Sequence, residues 1–180
     1  MFGIIFAGWS SKSKYPFLGA IRSTAQIISY EISIGFIFVL VTLCSHSINL
    51  IDIVYAQTLT TSFLFSIFPI AVIFFISIIA ETNRAPFDLP EAEAEIVAGY
   101  NVEYSGIVFA FFFLGEYGNI LIIATVYSLI FLGGWKLSPF FSFIPEEVAL
   151  QMKAIAICFL FVLVRAAFPR YRYDQLIEAC

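Results

Sequence analysis

Charged side chains are spaced along this 180-residue chain so as to leave long uncharged runs between them. From Ile32 to Ile51 there are 20 residues without Asp, Glu, Lys or Arg, and from Ile53 to Ala80 there are 28. From Tyr104 to Trp135 the chain runs 32 residues with the single charge of Glu116, and from Val148 to Val164 it runs 17 with Lys153 alone. A hydrocarbon core of ~30 Å needs ~20 apolar residues rising ~1.5 Å each in a helix. The pattern predicts four transmembrane helices, over about 23–45, 62–81, 104–133 and 149–167. Met1 to Gly8 is apolar as well, but so short a helix reaches only ~12 Å. With no basic start and no cleavage site after a full-length apolar core, it does not read as a signal peptide. It reads as the end of a longer helix, with an interfacial or re-entrant segment as the alternative. The expected fold is all-α: a polytopic membrane protein with one membrane domain over 1–180, about four full transmembrane helices and a partial amino-terminal helix.

Composition removes the soluble alternatives. The chain is 61% apolar and 12% charged, against roughly 45–50% and about 25% in ordinary globular domains, so too little polar surface remains to coat a water-facing enzyme. Cys44, Cys158 and Cys180 are scattered, and His46 is the single histidine, so no cluster is spaced to hold a metal or an iron–sulfur centre. A Gly-rich phosphate cradle is also missing from the sequence. Nucleotide, flavin and metal chemistry are therefore expected on other chains.

The basic residues set an orientation. Lys12, Lys14, Arg22, Arg84, Arg165, Arg170 and Arg172 fall on one side of the expected spans, and only Lys136 and Lys153 on the other. Such asymmetry places the first side in the cytoplasm or matrix, giving an inner-face loop over 9–22 and a second over 82–103. Between Glu81 and Glu103 six acids (Glu81, Asp88, Glu91, Glu93, Glu95 and Glu103) stand against Arg84, a local balance of −5. Acids do little for topology, so this stretch invites a functional reading; a solvated acidic loop that binds nothing is the bland one. Pro90 fits a first helical position with Glu91 and Glu93 in the favourable first turn, and Glu91 and Glu95 then share a face at i, i+4, where like charges favour one of them holding a proton.

Two acids fall inside the spans, Glu31 and Glu116. A charge at the centre of a membrane helix costs ~2.5–3.5 kcal/mol on the gentlest scale, so each is expected to face protein or water and to change protonation state. The alternative is a permanently neutral carboxyl bonded to a neighbouring helix. Phe109, Phe111, Phe112 and Phe113 would line an apolar pocket or, more commonly for Phe, face lipid. Trp9, Tyr15, Trp135, Tyr171 and Tyr173 fall near the expected interfaces, where amphipathic rings anchor helices.

The stretch Glu81-Thr82-Asn83-Arg84-Ala85-Pro86-Phe87-Asp88-Leu89-Pro90-Glu91, running on through Glu93, Glu95 and Gly99-Tyr100-Asn101-Val102-Glu103-Tyr104, closely resembles the signature of the subunit 1 family of proton-pumping NADH:ubiquinone oxidoreductase, respiratory complex I. Gly8-Trp9-Ser10-Ser11-Lys12-Ser13-Lys14-Tyr15, Leu18-Gly19-Ala20-Ile21-Arg22 and Gln26-Ile27-Ile28-Ser29-Tyr30-Glu31 look like its preceding loop and helix. Gly115-Glu116-Tyr117 and Arg165-Ala166-Ala167-Phe168-Pro169-Arg170-Tyr171-Arg172-Tyr173-Asp174 resemble later motifs, so the likeness covers nearly the whole chain.

The resemblance implies a membrane subunit that forms part of the quinone chamber and couples quinone reduction to proton translocation. It implies ubiquinone as substrate, with no tightly bound cofactor or metal on this chain. Glu31, Glu103 and Glu116 match the family's proton relay; Glu81, Arg84, Asp88, Glu91, Glu93 and Glu95 its coupling loop; Arg22, Phe113 and Arg165 positions that line or support the quinone tunnel. No catalytic residue is assigned. The implied partners are other complex I subunits, among them peripheral iron–sulfur subunits at the inner face, together with membrane lipid and no nucleic acid. The family normally has eight transmembrane helices, and this chain resembles the part from the end of the third through the seventh, so a separate chain is expected to supply the missing ones. The expected location is the mitochondrial inner membrane, with the bacterial plasma membrane as the alternative. Two other readings are a secondary ion transporter fragment using Glu31 and Glu116, disfavoured because no repeat relates the spans, and a structural or assembly piece of the complex.

Overall fold

The computed structural model describes residues 2–57, 62–87, 104–136 and 145–169. Among them every regular element is an α-helix: α1 (Phe2–Ser10), α2 (Lys14–Ser45), α3 (Leu50–Ala56), α4 (Phe63–Ser66), α5 (Phe68–Glu81), α6 (Ile107–Phe131) and α7 (Glu146–Ala167). The helices α2, α6 and α7, of 32, 25 and 22 residues, are long and apolar enough to cross a membrane. The all-α polytopic expectation holds, with three changes in detail.

First, helix α2 begins at Lys14, so 14–22 is helical where a loop was expected over 9–22. Pro16 lies in its first turn, where backbone N–H groups have no intrahelical acceptor and the missing donor costs nothing. Second, the span expected over 62–81 is broken into α4 and α5 at Ile67. An unbroken helix would bring the ring of Pro69 against the Phe65 carbonyl and leave that carbonyl without its donor. Instead the chain restarts with Ile70 N–H and Ala71 N–H donating to Ile67 O at 3.0 and 3.1 Å. The remaining apolar helix, α5, has 14 residues, short of a full crossing. Helix α3 was not expected; Asn49 caps it, its side chain accepting from Ile51 N–H at 3.2 Å.

Packing falls into two compact units. One comprises residues 1–32, 78–118 and 164–180. Its small core joins Ala7 of α1 to Ala20 of α2, with Ile4, Tyr104 and Phe112 against them. Buried hydroxyls there return to their own helix, Ser23 Oγ and Thr24 Oγ1 both donating to Ala20 O at 3.0 and 2.7 Å, which satisfies them without a partner element.

The other unit comprises residues 33–77 and 119–163. Phe74 is its hub, stacked at 6.0 Å on Tyr127, tilted at 5.3 Å against Phe131 and edge-on at 5.8 Å to Phe38. The carboxyl end of α6 is finished by polar side chains. Gln57 Nε2 donates to Leu129 O and Ile130 O at 3.2 and 2.8 Å, and Lys153 Nζ to Leu132, Gly134 and Lys136 carbonyls at 2.8, 2.7 and 2.7 Å. Gly133 and Gly134 there take φ of 71° and 55°, the left-handed exit that glycine permits, and Gly134 N–H closes back on Ser128 O at 2.9 Å.

Candidate functional site

The site is built where α5 ends. Thr82 N–H and Asn83 N–H donate to Ile78 O and Ala80 O at 3.0 and 3.2 Å, and Asn83 turns the chain left-handed at φ 50°. Asparagine tolerates that conformation better than most residues, so the helix stops there. The exit is a turn in which Phe87 N–H donates to Arg84 O at 2.8 Å. Gln26 of α2 ties both ends of this turn down, its Nε2 donating to Ala80 O and to Phe87 O at 3.0 Å each. Tyr30, one turn further along α2, sets its ring 6.0 Å from that of Phe87.

Held in this way, the Arg84 side chain is nearly buried and meets α6. Its Nη2 lies 3.7 Å from Glu116 Oε2, beyond hydrogen-bond range, so the contact is electrostatic. Its guanidinium carbon sits 4.6 Å from the centre of the Tyr117 ring, within cation–π distance. Glu81, at the last residue of α5, buries Oε2 without a hydrogen-bond partner among the described residues, and the Glu31 carboxylate of α2 acts on it as a like charge. One compact unit thus gathers Glu31, Glu81, Arg84 and Glu116.

The other expected site residues fall as follows. Glu31 is exposed on α2, Arg22 is half-buried on the same helix, and Arg165 is exposed in the last turn of α7. Phe113 packs edge-on against Phe109 at 4.8 Å. Asp88, Glu91, Glu93, Glu95 and Glu103 lie outside the described residues, as do Tyr171 and Tyr173. The four phenylalanines do not converge: Phe111 is 64% exposed, and Phe112 turns to Tyr104 at 5.1 Å. Among the described residues no three His, Cys, Asp or Glu side chains gather to hold a metal ion.

Residues that sequence reasoning did not single out do much of the positioning. Gln26 is one. Tyr104 is another, its hydroxyl donating to Ala7 O at 2.9 Å and sharing a short hydrogen bond with Ser10 Oγ, which ties the approach to α6 onto α1. Tyr117 is a third. The available signal was that all three stand within the stretches that resemble the family's motifs.

Fold and site together define a polytopic α-helical membrane chain that carries a buried arginine beside membrane-helix carboxylates. Its sequence matches the pattern of the NADH dehydrogenase family over residues 1–180, and the chain belongs to that family. It is 59% identical to NADH-ubiquinone oxidoreductase chain 1 of Cyanidium caldarium and 57% identical to that of Arabidopsis thaliana, covering 99% and 98% of this chain but 52% and 55% of those proteins. It is also 57% identical to an NADH-quinone oxidoreductase subunit of the bacterium Pelagibacter ubique, over 99% of this chain and 54% of that protein. The chain spans about half the length of the curated relatives it matches. The family and its apolar helices fit a mitochondrial inner or bacterial plasma membrane.

Proposed function

We propose that this chain forms part of the membrane subunit of an NADH:quinone oxidoreductase, contributing to the chamber where ubiquinone is reduced and linking that reduction to proton translocation. The observation that carries the reading is the Arg84–Glu116 ion pair at 3.7 Å, with Arg84 on a turn clamped by Gln26, in the compact unit that also holds Glu81 and Glu31. A relay through apolar protein needs groups that hold a proton and a fixed charge that responds when the neighbourhood changes sign. Glu31 and Glu116, with Glu103, supply the first. Arg84, with Glu81, Asp88, Glu91, Glu93 and Glu95, supplies the second, as a coupling loop between the chamber and the relay. Arg22, Phe113 and Arg165 are assigned to the chamber wall. Electrons would come from iron–sulfur clusters on peripheral subunits, and no catalytic residue is assigned on this chain.

The reading extends to partners. Only 6% of the apolar stretch of α6 is buried within the chain, and Ile107, Phe111 and Leu114 are 75%, 64% and 68% exposed. Glu31 is exposed on α2, an expensive position if lipid covers it. Further transmembrane helices are expected to cover these faces, on a separate chain or on the remainder of a longer one.

The test is replacement of Glu31 and Glu116 by Gln in the assembled complex. Each substitution keeps the helix and removes a titratable site, so protons moved per electron and quinone-coupled turnover are expected to fall. Both quantities unchanged in both variants would end the relay assignment.

A further inference from the structure

A cavity of about 300 Å³ opens at the turn between α1 and α2, lined by Gly8, Trp9, Lys12, Ser13, Lys14 and Phe17. That volume is at the small end of the ~300–1,000 Å³ typical of ligand sites. It lies wholly within one compact unit, away from the Arg84–Glu116 pair in sequence and in lining. Its shape has a definite origin. A Cβ on Gly8 would fall inside contact distance of Ala20 Cβ and 3.2 Å from Pro16 O, so glycine lets α1 and α2 approach closely behind the cavity. The chain then leaves α1 through Lys12, held left-handed at φ 53° with its N–H donating to Trp9 O at 3.2 Å.

The lining has the chemistry of an anion site. It contains two ammonium groups and no carboxylate, and neither Lys12 nor Lys14 has an ion-pair or side-chain hydrogen-bond partner among the described residues. Ser13 also lines the cavity, and its Oγ is buried with no hydrogen-bond partner among the described residues, so an unpaired hydroxyl lies beside the two lysines. Lys14 opens α2, whose first N–H groups and dipole also favour negative charge.

What lies beside the cavity selects among anions. Phe2, Phe6 and Trp9 recur at i, i+4 and i+7 along α1, so they form one stripe, and they are 70%, 67% and 71% exposed. The stripe ends at the cavity, because Trp9 belongs to both. A soluble phosphate has no use for it, whereas acyl chains lying on such a stripe would place a headgroup phosphate at the lysines. Trp is moreover the residue that settles at headgroup level. We propose that this turn is a binding site for one anionic glycerophospholipid, its phosphodiester held by Lys12, Lys14 and Ser13 and its acyl chains along Phe2, Phe6 and Trp9.

The test uses the purified native complex containing this chain, in nanodiscs doped with a photoreactive phosphatidylglycerol or, in parallel, the matching phosphatidylcholine. Crosslinks are mapped by peptide mass spectrometry. Labelling of the Trp9–Phe17 segment by the phosphatidylglycerol probe, several-fold above the phosphatidylcholine probe, is the expected result on the wild-type complex. At about fivefold per lysine, Lys12→Gln with Lys14→Gln should lower the yield about 25-fold, and the Lys12→Arg, Lys14→Arg pair should keep it. Equal labelling by the two lipids would overturn the proposal, as would indifference to the Gln pair. Loss of labelling on adding millimolar inorganic phosphate would instead make this a site for a soluble anion. Crosslinking of the two lysines to an acidic protein segment, in place of lipid, would make it a protein contact. The comparison of lipids on the wild-type complex stands even if a variant fails to assemble.

Discussion

Replacing Gln26 by Leu tests whether the Arg84 turn is held by the contacts described. The Gln26 side chain is 3% exposed, and its Nε2 donates to Ala80 O and Phe87 O at 3.0 Å. Leucine fills similar space but removes both hydrogen bonds. Phe87 O is stranded at ~1–3 kcal/mol, whereas Ala80 O keeps the Asn83 N–H at 3.2 Å and loses only its second donor, ~0.5–1.5 kcal/mol. Part of that is returned, because the Gln26 Oε1, itself buried without a partner among the described residues, disappears as well. A net loss of ~1–3 kcal/mol follows. Expressed wholly as release of the 82–87 turn, it shifts the docked equilibrium about 5- to 150-fold. The assay is hydrogen exchange followed by mass spectrometry on the 80–87 peptide in assembled complex, at matched abundance. Exchange at Phe87 N–H, which bonds Arg84 O at 2.8 Å, is expected to accelerate by that factor up to the limit of global opening, with quinone-coupled turnover falling alongside. Unchanged exchange in Gln26→Leu would show that something other than Gln26 fixes the turn, and the positioning argument would fail.

Lys153→Met leaves without their donor the three part-buried carbonyls that now accept from Nζ at 2.7–2.8 Å; these are neutral groups and no buried charge is left behind, so a loss of ~1–3 kcal/mol is expected, read as lower thermal stability of the complex, and a change within ~0.5 kcal/mol would refute it. Gly8→Ala should cost ~1–3 kcal/mol by overpacking against Ala20, while Gly3→Ala, with nothing within 4 Å, should be near neutral. Pairing Gly8→Ala with Ala20→Gly should recover most of the loss in a double-mutant cycle, and simple additivity would contradict the close approach.

The crossing helices were legible because a run of some 20 uncharged residues has one stable answer in hydrocarbon: a helix that satisfies its own backbone. The break in the second span was written in Pro69, yet averaged away inside the uncharged run from Ile53 to Ala80. Proline breaks a hydrogen-bond ladder, and a count of charges does not register that. For the site, the residue types were legible and the pairings were not. Glu116 was found as an acid in a span and Arg84 as the lone base in an acidic stretch, with nothing in their 32-residue separation to show that they meet at 3.7 Å. Gln26 escaped notice for a related reason: its partners are main-chain carbonyls, which every residue carries and no side-chain pattern encodes.

Polar atoms buried without partners separate structural polarity from the candidate site better than charge does. In the unit built on Phe74, buried polar groups are largely saturated: Gln57 Nε2 and the Lys136 and Lys153 ammonium groups all donate to carbonyls, and Tyr127 OH reaches Ala71 O at 3.5 Å. These groups finish helix ends, so stability alone accounts for them. Among the described residues the buried side-chain atoms left unpaired are Ser13 Oγ, Gln26 Oε1, Gln57 Oε1, Glu81 Oε2, Asn83 Oδ1 and Arg84 Nη2. Four of the six belong to the Arg84 turn and its clamp, and a fifth lines the lysine cavity. Each such atom costs about 1–3 kcal/mol, and scattered at random they would simply weaken the fold. Concentrated where an arginine faces a membrane-helix glutamate, they leave hydrogen-bonding capacity unspent, and one of them, Glu81 Oε2, belongs to a group that can itself take up a proton. An acid already saturated by backbone groups lacks that freedom.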